Sequence, residues 1–158
     1  MTVAFIGNRE LVVTQTMKDK LKRVIEGLIV DERADEFLFG SRSRFNDLCY
    51  EVVTELKSVY GHIRRINVRA EYEYVGQWYI DDLLTEYERS FFPESVHGAG
   101  AKAYVERNAV MVDMCDVLLF YLDPSFVPRR GKSGTGMAVA YAARKKKRVI
   151  DFYGLLNG

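Results

Sequence analysis

The sequence has few of the residues that build disulfide scaffolds or metal sites. Its 158 residues include 2 cysteines, 2 histidines, 3 prolines and 1 tryptophan. Two cysteines cannot form a disulfide framework, and the cysteines and histidines do not fall at metal-ligand spacings. Cys49 and Cys115 both lie in stretches that we expect to be helical. We therefore predict two buried thiols and no metal site.

The chain also lacks an excess of charge and long apolar runs. Its 23 Lys and Arg residues balance 22 Asp and Glu residues, so no global field attracts nucleic acid or a membrane. No apolar run approaches the roughly 20 residues that span a bilayer. The N-terminus does not have the pattern of a secretory signal. We therefore predict a cytoplasmic protein without membrane contact, for which nucleic acid is an unfavoured partner.

The composition and apolar pattern indicate one domain of the α/β class. With 48% hydrophobic and 28% charged residues, the chain can bury an ordinary core. Short apolar runs ending in glycine, typical of strands buried on both faces, alternate with segments of helical periodicity. Strands are predicted at residues 3–6, 37–40, 63–70 (nearer a sheet edge), 117–122 and 149–153, and helices at 14–30, 45–60, 80–87, 104–115 and 138–147. This order predicts a three-layer, Rossmann-like domain over residues 1–158, with a mainly parallel sheet flanked by helices.

Aromatic residues crowd the segment between residues 72 and 92. We predict a helix near residues 80–87, followed by a loop or a short strand. The rings suit burial in the core, stacking on a base, or self-association of the protein. The aromatic residues are Tyr72, Tyr74, Trp78, Tyr79, Tyr87, Phe91 and Phe92.

A glycine-rich segment at residues 131–136 is the best candidate for a phosphate site. It lies between the strongest predicted strand and a helix, where free backbone amides favour anions. Gly134 admits a ligand close to the backbone, and Ser133 or Thr135 can cap the helix and bond a phosphate oxygen. An ordinary capped turn has the same features. The spacing matches neither the Walker pattern nor the dinucleotide-binding fingerprint.

Two other strand ends carry polar residues suited to an anion. Arginine and serine can bind phosphate, and the carboxylate of Asp47 can accept hydrogen bonds from a ribose or a base edge. Alternatively, Asn46 or Asp47 only caps the helix and the arginines are solvated. The candidates are Gly7, Asn8 and Arg9 after the first strand, and Gly40, Ser41 and Arg42 after the second.

The helix at residues 104–115 carries Arg107, Asn108 and Asp113. Arg107 can reach the ligand site while Asp113 stabilises a neighbouring loop, and surface ion pairs are the alternative. The basic run at residues 144–148 is typical of a helix C-terminus, where cations complement the dipole. The basic residues at 129–132 adjoin the glycine-rich segment and are better placed to hold a polyanion.

Several segments, taken together and in order, resemble the SLOG superfamily, in particular its small stand-alone bacterial proteins. The superfamily has a Rossmann-like sheet and includes the LOG-type cytokinin phosphoribohydrolases, once called lysine decarboxylase-like, and the DNA-processing protein DprA. The resemblance covers nearly the whole chain. The matching segments are residues 5–9, 39–47, 104–113, 116–121, 133–135 and 138–142.

The resemblance implies a nucleotide or nucleotide-derived ligand. It places the loop at Gly40 and the loop at residues 133–135 around the phosphate and sugar of that ligand. Arg107 falls where the phosphoribohydrolases carry an arginine, ahead of the strand that leads to their glycine-rich motif.

The sequence departs from the phosphoribohydrolases at one important position. Their motif Pro-Gly-Gly-x-Gly-Thr-x-x-Glu ends in a glutamate that takes part in catalysis, and here that position is Ala138. Glycosidic cleavage needs a carboxylate at the developing ribosyl cation or the attacking water. For the protein to be a hydrolase, the carboxylate of Glu71, Asp47 or Glu10 would have to take the place of the missing glutamate.

These observations favour binding over catalysis. We expect a module that senses or sequesters a small nucleotide, without a resident cofactor. The alternative is an N-glycosidic hydrolase or transferase acting on a nucleoside monophosphate, with Glu71 as the first carboxylate to test. A third possibility is an interaction protein whose ligand site is inert, and a homo-oligomer remains open.

Overall fold

Strands and helices alternate along the chain. The computed structural model describes residues 1–40, 42–126 and 133–158. Its strands are β1 (Thr2–Gly7), β2 (Glu36–Phe39), β3 (Arg64–Val68), β4 (Arg89–Phe91), β5 (Val117–Tyr121) and β6 (Arg148–Asp151). Its helices are α1 (Gln15–Glu32), α2 (Arg44–Lys57), α3 (Gln77–Glu86), α4 (Ala103–Met114), α5 (Gly134–Arg144) and α6 (Phe152–Asn157). Two short 3-10 turns, Glu94–Val96 and Gly100–Lys102, lie between β4 and α4.

The strands form one parallel sheet in the order β4-β3-β2-β1-β5-β6. The chain winds outward from β1 to β4 and then crosses back, placing β5 on the other side of β1. This reversal leaves a crevice between the carboxyl ends of β1 and β5, where open α/β sheets usually bind their ligands. The predicted three-layer α/β architecture is confirmed.

Two hydrophobic cores cover the two faces of the sheet, because successive strand residues point to opposite sides. In β1, Val3 and Phe5 belong to the core under α1, α2 and α6. Ala4 and Ile6 belong to the core under α4 and α5. All four side chains are buried, so β1 has no polar face and lies at the centre of the sheet.

Helix α1 shows how the helices cover the sheet. Its 18 residues bury Met17, Leu21, Ile25 and Leu28 on one face, and charged residues occupy the other. Across the part of the chain that the structure describes, no helix has both the length and the apolar character needed to cross a bilayer.

Side-chain caps decide where the helices begin. Ser43 caps α2 by accepting a hydrogen bond from the Asn46 amide, so the expectation that Asn46 or Asp47 is the cap is wrong. Ser133 caps α5 in the same way through the Gly136 amide. The predicted helix start at Ala138 is therefore four residues late.

The C-terminus differs most from expectation. The predicted strand at residues 149–153 ends at Asp151, whose side chain accepts a hydrogen bond from the Gly154 amide and caps α6. Phe152 is completely buried in the first core. The apolar character of Phe152 favoured a longer strand. In the structure, Phe152 instead begins a short helix, which we did not predict.

Strand β4 forms the edge of the sheet beyond β3. It lies in the aromatic segment, where we predicted either a loop or a short strand. The prediction that the third strand lies nearer an edge is confirmed, because only β4 lies outside it. Helix α3 begins at Gln77, three residues earlier than expected.

The two thiols are buried and unpaired, as predicted. Cys49 lies within α2, whereas Cys115 caps the C-terminus of α4 and donates to the Val112 carbonyl. Burial raises the pKa of Cys115 to about 11 and also raises that of Cys49. Both thiols are therefore protonated at neutral pH and unsuited to nucleophilic chemistry.

Replacing Gly7 with alanine tests the close packing of α2 on the end of β1. A Cβ at Gly7 would lie 2.3–2.6 Å from Phe45 side-chain atoms, including its Cβ. We expect Gly7→Ala to lower the free energy of unfolding by about 2 kcal/mol, measured by urea denaturation. Gly61→Ala is the control, because nothing lies within 4 Å of its Cβ position. Equal stability of the two variants would contradict this packing.

Candidate functional site

Most predicted binding residues lie where the strands end, on one edge of the sheet. The parallel arrangement brings together the residues after β1, β2, β3 and β5, although they are far apart in sequence. Ser41 lies outside the described residues, as do the Gly131 and Lys132 part of the glycine-rich segment and the basic residues at 129–130.

Asn8 joins the two loops that border the crevice between β1 and β5. It is 2% exposed, and its backbone amide donates to the Tyr121 carbonyl at 3.1 Å. Its side-chain oxygen accepts a hydrogen bond from the Asp123 amide at 2.7 Å. The next residue, Arg9, accepts from the Arg44 amide through its carbonyl and leaves its side chain exposed. Asn8 therefore shapes the crevice, and Arg9 extends from its edge.

Asn46 likewise connects the chain at the ends of β1 and β2. The last pair in their ladder is Ala4 with Leu38. Beyond that pair, the Asn46 side chain donates to the Phe5 carbonyl at 3.0 Å and accepts from the Gly40 amide at 3.3 Å. Its amide group thus replaces ladder hydrogen bonds and holds the loop at Gly40 in place. From the sequence, Asn46 is simply a polar residue in the first turn of a helix, and that pattern does not predict this role.

Arg107 is buried against Gly40. A Cβ at Gly40 would lie 2.7 Å from Arg107 Cδ and 2.8 Å from its Nε, so only glycine leaves room for this side chain. Arg107 is 2% exposed, and burial lowers its pKa to about 10. Its Nε donates to Asn108 at 2.9 Å, and its guanidinium lies 5.5 Å from the Tyr104 ring centroid.

Arg107 forms no ion pair with a described carboxylate, although the charge of Glu71 acts on it and raises its pKa. Within the described ranges, its two terminal nitrogens also donate to no protein acceptor. Buried charges are normally paired, because leaving one unpaired costs several kcal/mol. Such a guanidinium is suited to an anionic ligand.

Glu71 lies beside the same helix. Its carboxylate accepts a hydrogen bond from the Tyr104 hydroxyl at 3.3 Å and lies 3.9 Å from Arg42 Nε. Desolvation raises the pKa of Tyr104, and the charge of Glu71 adds to that rise. The structure therefore brings Glu71 and Arg42 to the neighbourhood of Arg107, while Arg42 itself is 76% exposed.

The start of α5 lies beside α4. A groove of about 310 Å³ between the two helices is lined by Asn108 and Gly134, among others. Thr135 is buried, and the Ser133 hydroxyl oxygen is occupied by its capping bond. Ala138 is 4% exposed and packs in the second core, so no carboxylate stands at the position of the glutamate in the phosphoribohydrolase motif.

A second cavity, of about 170 Å³, lies on the α2 side of Gly40. Asp47 lies in its lining, and partial desolvation raises the pKa of that carboxyl against the opposing effect of Arg44 and Arg42. Burial also raises the pKa of Tyr87 to about 12. The full lining is Phe39, Gly40, Asn46, Asp47, Tyr50, Asn67, Glu86 and Tyr87.

The aromatic segment contains both exposed and half-buried rings. Tyr74 and Trp78 are 87% and 74% exposed, and α3 has no buried residue. The rings of Tyr74 and Trp78 therefore lie outside the core, whereas Phe91 packs against the second core and Tyr87 packs near Tyr50 at 5.1 Å.

Residues of the basic run near the C-terminus of α5 form contacts that stabilise the fold. Lys147 donates to the carbonyls of Asp113 and Cys115 at the end of α4, and Arg148 pairs with Glu32. Asp113 accepts from the Tyr141 hydroxyl at 2.9 Å and so links α4 to α5. These contacts agree with the structural interpretation of both features.

Comparison with known proteins supports the fold. No family model matches the sequence, and no curated protein matches it. The structure is similar to that of the molybdenum cofactor carrier protein MCP from Chlamydomonas reinhardtii, with a TM-score of 0.55 and 17% identity. The match covers 94% of this chain and 73% of that one. At this identity the likeness shows a shared Rossmann-like fold.

Removing the Asn46 side chain tests its role between the strands. Asn46→Ala leaves the Phe5 carbonyl and the Gly40 amide without partners, and we expect a loss of about 2 kcal/mol in the free energy of unfolding. Asn157→Ala is the control, because its side chain bonds a carbonyl at the exposed C-terminus. Urea denaturation measures both, and a loss below about 0.5 kcal/mol for Asn46→Ala would refute the assignment.

Proposed function

We propose that this protein binds a nucleotide or a nucleotide-derived small molecule at the carboxyl edge of its sheet. The observation that carries the proposal is the side chain of Arg107, which is buried beside Gly40 and forms no ion pair with a described carboxylate. A phosphate group would supply the charge that Arg107 lacks, through strong bidentate hydrogen bonds. The protein would then act as a sensor or carrier of the ligand, as one domain over residues 1–158.

The surroundings of Arg107 support an anionic ligand. Arg9 and Arg42 are exposed at the same edge and can add positive charge. Asn108 and Gly134 line the adjoining groove, and a Cβ at Gly134 would meet open space. We assign the phosphate to Arg107 with the start of α5, where Ser133 and Thr135 lie. Gly7 and Asn8 would form the floor of the crevice.

Two similarities agree with this class of ligand. The resemblance to the SLOG superfamily implies nucleotides, and we propose that the chain is a member. The structural neighbour is by name a carrier of a cofactor, which is also a small molecule. We infer binding of a small molecule from the site, and the two similarities are consistent with it.

A second candidate function is cleavage of the N-glycosidic bond of a nucleoside monophosphate. Its supporting observation is that Glu71 lies near Arg107, held by Tyr104 and facing Arg42. In that reaction water attacks the anomeric carbon, the bond to the base breaks, and the base leaves with a proton. Glu71 would take the proton from the water, replacing the acid that is absent at Ala138.

Replacing Arg107 with methionine separates a binding residue from a structural one. A residue kept for stability should cost stability when removed, whereas an unpaired buried charge should not. We expect Arg107→Met to raise the free energy of unfolding by about 1 kcal/mol and to abolish the thermal shift produced by millimolar nucleoside monophosphates. Urea denaturation and thermal-shift titration measure the two effects.

Arg89→Met is the matched control for that experiment. Arg89 is exposed on β4 and also rests over an aromatic ring, that of Phe91 at 4.9 Å. We expect this variant to bind nucleotide like the unmodified protein, with stability changed by less than about 0.5 kcal/mol. Undiminished nucleotide binding by Arg107→Met would refute the proposed site, and no thermal shift of the unmodified protein would refute the proposed function.

Chromatography of the same samples tests the second function. If the protein is a hydrolase, free base accumulates from adenosine 5′-monophosphate, and Glu71→Gln slows its release by at least about a hundredfold while binding persists. Glu73→Gln is the control, because Glu73 lies two residues away and pairs with His97 at 2.6 Å. Binding without base release by the unmodified protein would exclude the hydrolase for this substrate.

A further inference from the structure

The cavity beside Asp47 lies on the opposite side of Gly40 from Arg107. The Cβ direction of Gly40 faces Arg107 and Met111, both on α4. Its backbone amide instead points to Asn46 on α2, which lines the cavity. One glycine backbone thus separates a buried cation from a polar cavity whose lining does not include that cation. A ligand that contacts both must span Gly40.

The cavity offers polar groups that the protein leaves free. Within the described part of the chain, the Asp47 carboxylate and the Tyr87 hydroxyl form no hydrogen bond. Asn67 uses its side-chain oxygen to accept from Ser90 at 3.0 Å, and its amide nitrogen remains available. Asn46 differs from these three, because both ends of its amide group are occupied.

The wall of the cavity is aromatic and rigid. The Phe39 ring lies 5.6 Å from Tyr50 and 6.1 Å from Tyr87, and Tyr50 lies 5.1 Å from Tyr87. The Tyr50 hydroxyl donates to the Glu86 carbonyl at 2.7 Å, which holds the chain after α3 against α2. The free polar groups therefore stand on a fixed apolar support, as in typical small-molecule sites.

The two acidic residues in the cavity lining disfavour phosphate there, and both are exposed. Asp47 and Glu86 are both acidic, and the nearby Arg65 is held by Glu88 at 3.1 Å. Arg42 and Arg44 act on Asp47 from the solvent side, and both are exposed. An acidic cavity selects groups with N–H or O–H donors, whereas the cation across Gly40 selects an anion.

We propose that the Asp47 cavity is a recognition site for the hydrogen-bond donors of a ligand whose anionic end lies at Arg107. It would accept ribose hydroxyls or the amino group of a base, and it would determine which anions the protein retains. This inference rests on the proposed function and adds a selectivity that Arg107 alone does not supply.

Titration calorimetry with three probes tests the inference. Pyrophosphate presents the anion alone, ribose 5-phosphate adds hydroxyls, and adenosine 5′-monophosphate adds a base with an amino group. Asp47→Asn keeps the size of the side chain and removes its charge. We expect it to weaken the binding of adenosine 5′-monophosphate about tenfold, while pyrophosphate binds equally or more tightly because a nearby negative charge is gone.

Two further variants make the result specific. Tyr87→Phe removes the free hydroxyl and retains the ring packing. We expect it to weaken the binding of adenosine 5′-monophosphate about fivefold and to leave the affinity for pyrophosphate unchanged. Asp82→Asn, an exposed carboxylate on α3 outside the cavity lining, should change neither affinity. Thermal unfolding of each variant shows whether it is folded.

The outcomes distinguish this inference from the proposed function. A weaker affinity of Asp47→Asn for ribose 5-phosphate as well assigns the cavity to hydroxyls, and an effect on adenosine 5′-monophosphate alone assigns it to the base. Equal changes for pyrophosphate and the nucleotide, or none in Asp47→Asn and Tyr87→Phe, overturn the inference and leave binding at Arg107 intact. If the unmodified protein binds none of the three probes, both proposals fail.

Discussion

The side-chain amide of Asn46 sits between the ends of β1 and β2, and the site depends on its two hydrogen bonds. It donates to the Phe5 carbonyl and accepts from the Gly40 amide at the point where the ladder between the strands ends. Two neighbouring strands can separate inside a protein only if their backbone groups find other partners. By supplying those partners, Asn46 lets the chain leave the sheet at Gly40, and the space on both sides of that glycine follows from this departure.

The two sides of Gly40 have opposite electrostatic character. On the α4 side, Arg107 is desolvated and forms no ion pair with any carboxylate of the described residues. On the α2 side, Asp47 and Glu86 line a cavity whose aromatic wall is tightly packed. No described carboxylate forms an ion pair that would offset the desolvation cost of this guanidinium. This contrast is the basis of our proposal that the protein binds a ligand with an anionic end and a donor-bearing end.

Much of the fold could be predicted because its signals are local. Apolar runs such as residues 117–121 and the helical periodicity of α1 and α2 depend on neighbours in sequence, and parallel winding follows from their alternation. Element ends were less predictable. Ser133 and Asp151 are caps whose bonds outweigh the apolar pattern beside them, so α5 begins early and α6 replaces the end of a strand. The exposure of Trp78 was also not predictable from the sequence, because aromatic residues are usually buried.

By itself, the sequence determined the α/β class, the buried thiols and the strand ends that carry polar residues. It also indicated Arg107, Gly40 and Asp47 as residues of interest. Only the tertiary structure decided that Arg107 lies buried against Gly40, that Glu71 lies near it, and that Asn46 is a structural bridge. The physical reason is that these relations join α4, β2, α2 and the loop after β3 across as many as 67 residues of chain, from Gly40 to Arg107. Contact between such distant segments follows from strand order and packing, which no local pattern encodes.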